Sequence, residues 1–124
     1  MDNGDIEAII AAAAKTRNMN EVLTLSGVRP SGSHSEFCLR MAEFVARGYL
    51  SKSIDFGTAD AAVNWLFAYS YMMVDSPGEM PLLARRVFEA FDEGEYHHQG
   101  DDRSEDPEQK YTLPLIREIV ENEF

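Results

Sequence analysis

The segment Ala59–Val74, ADAAVNWLFAYSYMMV, constrains the fold more than any other part of the chain. Its apolar residues go nearly all the way round a helical wheel, and such a helix has to be enclosed by other elements. The run from Ala61 to Val74 is fourteen residues, interrupted by Asn64 and Ser70, short of the roughly twenty that cross a bilayer. The segment therefore predicts a buried central helix that begins at Gly57 or Thr58, with no membrane span.

The rest of the sequence supplies helices to enclose it. Ile6, Ile9, Ile10 and Ala13 fall at helical spacing after a capping candidate at Asn3, and Lys15 and Arg17 suit the negative end of a helix dipole, so a helix is expected over Gly4–Arg17. Asn20–Leu25 reads as a short helix closed by Gly27, followed by the loop GVRPSGS. Ser33 and Glu36 have capping-box spacing ahead of a stripe formed by Phe37, Met41, Phe44 and Val45, which Gly48 is expected to end. After the turn chemistry of DSPGEMP, Leu83, Val87, Phe88 and Phe91 mark a helix over Met80–Glu93, with Pro81 in its first position and Gly94 as its stop. Thr112 or Leu113 is the expected cap of a last helix that carries Pro114 in its first turn and buries Leu115, Ile116, Ile119 and Val120.

No stretch shows sustained period-two alternation; VLTLSGV comes closest. The expected fold class is all-α: one domain spanning residues 1–124, a compact bundle of four main helices plus one short helix, with a long acidic loop before the last helix.

That loop, from Glu95 to about Tyr111, is long for a compact domain and so is expected to be functional or mobile. From Asp92 to Glu108 eight carboxylates, Asp92, Glu93, Glu95, Asp101, Asp102, Glu105, Asp106 and Glu108, stand against the single base Arg103. The whole chain has 11 basic and 22 acidic residues, a formal charge of −11. Such a field repels phosphate backbones and anionic lipid, and attracts a basic protein surface. Direct nucleic-acid binding is disfavoured. The eight acids are the candidate partner-binding residues, and a solvated, self-repelling loop is the plain alternative.

His97 and His98 lie inside the same stretch, and with Asp101 and Asp102 they offer imidazole and carboxylate ligands to a transition metal. Neither the H-E-x-x-H helix spacing nor the EF-hand pattern is present, so the metal reading is the alternative and no cofactor is expected. The segment Glu21–Phe37 resembles a helix-turn-helix in outline only: Pro30, Gly32 and the Ser33 cap fall where a recognition helix should begin, and no basic face accompanies it.

Cys38 is the only cysteine, which excludes an intrachain disulfide and a CxxC motif and fits a reducing, cytoplasmic compartment. The first residues, MDNGDIEAII, begin with acids rather than a basic n-region, against a secretory signal. Ser33, His34, Ser35 and Cys38 include the types of a nucleophile and base, but closeness in sequence does not assemble a site. Asn64 and Ser70 on the central helix need hydrogen-bond partners, with internal ones the default.

Taken together, these features predict a non-enzymatic acidic helical protein that binds, and inhibits or regulates, a basic protein partner, in the manner of an inhibitor, immunity protein, antitoxin or nucleic-acid mimic. Because Trp65, Phe67, Tyr69, Tyr71, Met72 and Met73 exceed what one face needs to bury, homodimerisation through the central helix is a further expectation.

Overall fold

The computed structural model describes all 124 residues and is all-helical, with no strand. Six helices follow one another: α1 (Asn3–Lys15), α2 (Val22–Ser26), α3 (His34–Leu50), α4 (Phe56–Tyr71), α5 (Leu82–Glu93) and α6 (Leu113–Glu123). A 3-10 turn, Met19–Glu21, leads into α2, and a π-helical turn, Glu108–Thr112, leads into α6. Five helices have 11 to 17 residues and one has five, one more long helix than the four main plus one short expected.

The starts of the helices follow from short polar side chains. Asp2, one residue before the expected Asn3, caps α1 in a reciprocal box: Asp5 N–H donates to Asp2 Oδ1 at 2.9 Å and Asp2 N–H to Asp5 Oδ2 at 3.1 Å. Ser33 Oγ accepts from Glu36 N–H at 3.1 Å to start α3, and Asp55 Oδ1 accepts from Thr58 N–H at 2.8 Å to start α4. Pro81 is the cap of α5 rather than its first residue, because Met80 N–H is held by the Tyr71 hydroxyl at 2.9 Å and the chain stays extended up to that point.

Helix α4 packs against α1, α3 and α5. From Thr58 to Tyr71 none of its residues is exposed, as its all-round apolar character requires. Trp65 and Leu66 are each 1% exposed, and complete burial of side chains of that size stabilises by about 1.5–3 kcal/mol apiece. Trp65 stacks on Tyr69 with ring centroids 4.9 Å apart and meets Phe37 of α3 edge-on, while Phe67 stacks on Phe88 of α5 at 4.5 Å. The surplus residues Phe67, Tyr69, Tyr71 and Met73 are partly buried against the core of the same chain. Only beyond its end do Met72 and Val74 face solvent. No helix is long and apolar enough to cross a membrane.

Two glycines act by close approach. Gly48 does not end α3, which runs on to Leu50; a Cβ there would sit 2.4 Å from Ile54 Cδ1, so the glycine lets the following turn fold back onto the helix. At Gly94 a Cβ would lie 1.9 Å from Thr112 Oγ1 and 3.3 Å from the Glu108 Cα. Thr112 is fully buried and donates to the Ala90 carbonyl at 2.7 Å, which fastens the π-helical turn to the last turn of α5. Thr112 thus stands at the expected position before α6, but its hydroxyl makes no capping bond and serves as a buried tie. Helical backbone begins earlier, at Pro107, and the Leu113 N–H bonds back five residues to Glu108 O. Pro114, which has no N–H and clashes with the carbonyl four residues earlier, disfavours an ordinary α-turn there and accounts for the wide one.

Gly94→Ala is expected to destabilise the fold by on the order of 3 kcal/mol, from overpacking and loss of the Thr112 bond. Gly48→Ala meets the partly buried Ile54 side chain but no backbone and breaks no hydrogen bond, and should be milder. Chemical denaturation of both variants checks the order.

Candidate functional site

The acidic segment after α5 is folded rather than loose. The turn His98–Asp101 is closed by the Asp101 N–H to His98 O bond at 3.0 Å, with Gly100 at φ +89° in the position that needs a left-handed residue. His98 is stacked between Tyr96 and Tyr111, centroids 4.6 and 3.9 Å away, and its Nε2 lies 2.9 Å from both the carbonyl and Oε2 of Glu93. Asp101 is the hub: it accepts from Lys110 Nζ at 2.7 Å, from the Tyr111 hydroxyl at 2.7 and 2.8 Å, and from His98 N–H at 3.0 Å. Its side chain is only 6% exposed. The bond from Lys110, then that from Tyr111, holds its carboxyl well below the usual carboxylate range.

The predicted partner-binding acids consequently divide. Asp101, Glu105 and Glu93 are engaged inside the loop, Glu105 by Lys110 at 2.7 Å and Glu93 by His98. Asp101 in particular is a structural ligand of the loop. Asp102 accepts from the backbone and hydroxyl of Ser104, and Asp106 from Glu108 N–H, so both shape local turns while staying exposed. Glu108 Oε2 accepts from the Tyr49 hydroxyl at 2.6 Å. Asp92 and Glu95 sit at the end of α5 and just beyond it.

The sequence reading missed Asp60, which completes the second group. Asn64 Nδ2 donates to Asp60 O at 2.8 Å, to Asp60 Oδ1 at 3.1 Å and to Glu95 Oε1 at 3.2 Å, drawing the two carboxylates together. Burial first, and then Glu95, push the Asp60 carboxyl up to about 8. Asp92 is also raised, by burial and then by Glu95 and Glu93. No lysine, arginine or histidine makes an ion pair with Asp60, Asp92 or Glu95. The available signal was an aspartate and an asparagine four residues apart at the start of an otherwise apolar helix, a spacing that puts both on one face.

His97 and His98 do not converge with Asp101 and Asp102. His97 Nε2 bonds the Glu105 carbonyl at 2.8 Å, whereas His98 is turned into the tyrosine stack. No group of three or more His, Cys, Asp or Glu side chains is arranged to hold a metal ion.

A third constellation links α3 and α4. His34 Nε2 lies 2.9 Å from Ser70 Oγ and 3.3 Å from Cys38 Sγ, and Ser70 also donates to Leu66 O at 2.8 Å. Ser33 is occupied as a cap and Ser35 faces solvent, so of the four sequence candidates only His34 and Cys38 meet. Burial lowers the His34 imidazole and raises the Cys38 thiol, the reverse of a thiolate–imidazolium pair. With Cys38 at 0% exposure, the contacts pack the core and do not form an open nucleophile site. Asn64 and Ser70 both find internal partners.

Compared with protein-family models, curated proteins and solved structures, the chain matches none. Its chemistry is therefore read from its own side chains.

Two outcomes test the electrostatics. Because the folded carboxyl of Asp60 titrates above its unfolded value, its favourable contribution is complete below pH ~4 and is lost as pH rises through about 8. Asp60→Asn should flatten that fall and raise the melting temperature at pH 8, as measured by calorimetry. Asp101→Ala strands Lys110 and Tyr111 and should expose the segment 95–107 to amide hydrogen exchange while α4 stays protected.

Proposed function

We propose that this protein binds and regulates a basic protein partner, docking it on the carboxylates Asp60, Asp92 and Glu95, with Asp102 and Asp106 of the adjoining loop extending the acidic surface. The observation that carries this reading is the uncompensated crowding of the first three. The chain has eleven basic residues, yet none pairs with these acids, and burial together with Glu95 pushes the Asp60 carboxyl upward. A group kept at the expense of stability is the usual mark of a site rather than of scaffolding. A lysine or arginine delivered by a partner would favour the charged Asp60 carboxylate and turn a repulsive cluster into a neutralised one.

The ordered loop supports the same reading. Its internal cation Lys110 neutralises Asp101 and Glu105 and fixes the backbone, which leaves Asp102 and Asp106 at defined positions on the outside. Acids held in place lose less entropy on docking than acids on a mobile chain. Inhibitor, immunity, antitoxin and nucleic-acid-mimic proteins use such surfaces, and a non-enzymatic role of this type is the conclusion we draw.

The test is capture from a lysate of the native host, followed by calorimetry on the purified partner. A basic protein should be retained at low salt and released at moderate salt. Its affinity should rise between pH 6 and pH 8.5 as the proton on Asp60 is displaced. The triple variant Asp60→Asn, Asp92→Asn, Glu95→Gln should weaken binding by about tenfold or more. An unchanged affinity in that variant would overturn the assignment.

A further inference from the structure

A groove of about 470 Å³ lies where the end of α3, the start of α4 and the π-helical turn meet. Tyr49, Ile54 and Phe56 give it an apolar floor, while Glu108, Asp55 and Lys52 supply charge. The floor is rigid, because Tyr49 and Phe56 pack against the fully buried Phe91, with centroids 5.1 and 5.9 Å from it.

Glu108 is prepared for a cation. Its Oε2 is fixed by the Tyr49 hydroxyl at 2.6 Å, and no hydrogen bond engages its Oε1. Burial keeps the Tyr49 phenol protonated, and Glu108 and Asp106 reinforce this, so Tyr49 remains a donor at any working pH. Asp55 is held ionised by the Thr58 bonds that make it the cap of α4, and it adds a second negative charge beside the groove. Neither acid is paired with a base of this chain. The contrast with the equally large groove on the outer side of α3 is direct. There Arg40 is taken by the Met1 carbonyl and Asn3, and Arg47 by Glu43 at 2.9 Å, so its charges are already spent.

We propose that the groove receives an arginine side chain presented by the basic protein partner, with Glu108 pairing with the guanidinium and Phe56 stacking against it. The inference rests on the reading of the protein as a binder of basic proteins and deepens it by naming where a single side chain is gripped. A planar guanidinium suits a carboxylate beside an aromatic ring better than a hydrated ammonium does. Buried arginine anchors of this kind carry a large share of an interface's affinity. Lys52 stands on the rim with no ion-pair partner and opposes the incoming charge, so it sets the affinity from the other side.

The experiment is an NMR titration of the full chain with N-acetyl-arginine amide at low salt. Saturable shifts are expected at the amides of Phe56, Gly57 and Glu108. Glu108→Gln should weaken the apparent affinity by about tenfold, Tyr49→Phe should weaken it by less, and Lys52→Ala should tighten it by about twofold. Glu7→Gln, at an exposed acid of α1 outside the groove, should leave it unchanged. Shifts spread over the acidic surface without saturation, or insensitivity to Glu108→Gln in a folded variant, would overturn the proposal. Equal affinity for N-acetyl-lysine amide would overturn the guanidinium assignment. The two readings fail separately. If the groove is silent while the Asp60, Asp92, Glu95 variant still loses the basic partner, only the groove is wrong. If the groove binds and that variant has no effect, the docking face is wrong.

Discussion

Everything in this fold answers to one requirement: α4 is apolar on every side and has to be enclosed. A chain of this size encloses a helix only by laying several others around it, and α1, α3 and α5 do so. Once those three are committed, the polar groups in the first half of α4 are left at its margin. Asp60 and Asn64 lie half-buried beside Glu95, just past the end of α5, and beyond the last turn of α4 the apolar Met72 and Val74 face solvent. The candidate docking face is therefore a by-product of how the central helix is covered.

The second determinant is the contact between Gly94 and the π-helical turn. By allowing Thr112 to reach the Ala90 carbonyl, it draws the segment before α6 against α5. That approach brings Tyr111 over His98 and puts Lys110 within reach of Asp101 and Glu105. The hub then orders a stretch that charge alone would keep extended. Hydrogen bonds to one nearly buried carboxylate outweigh the mutual repulsion of its neighbours, because each donor there would otherwise be left without its partner.

Much of this was legible in the sequence. The positions of α1, α3, α4 and α5 could be placed from apolar periodicity and caps, since those signals act within a few residues. Gly48 looked like a helix stop because glycine often is one, and α3 runs past it; Gly94 does follow the last residue of α5, but the close approach of each involves Ile54 and Thr112, the second of them far along the chain. The site was read less well. Counting acids between residues 92 and 108 located the charge but did not separate Asp101, which is consumed by Lys110 and Tyr111, from Glu108, which is aimed outward by Tyr49. Asp60 was invisible to that count, being thirty-five residues from Glu95 and brought to it by the fold, through Asn64 and by direct approach of the two carboxyls. Likewise, the adjacent histidines suggested a metal because adjacency was all that could be seen, whereas the fold sends one to a carbonyl and the other between two rings.

The π-helical turn, described above as a means of accommodating Pro114, also works as a winding defect. It stores one residue more than an ordinary helical turn, and each residue of an α-helix rotates the chain by about 100°. The surplus lets the side chains before it and those after it take independent bearings. Glu108 can be aimed at Tyr49 and the groove, while Ile116 and Ile119 of α6 are aimed into the core. Without the defect, a single rotation would govern both, and changing the direction of the outward carboxylate would mean turning the core face of the last helix with it. The extra residue in effect offsets the phase of the segment around Glu108 from the phase of the packing in α6.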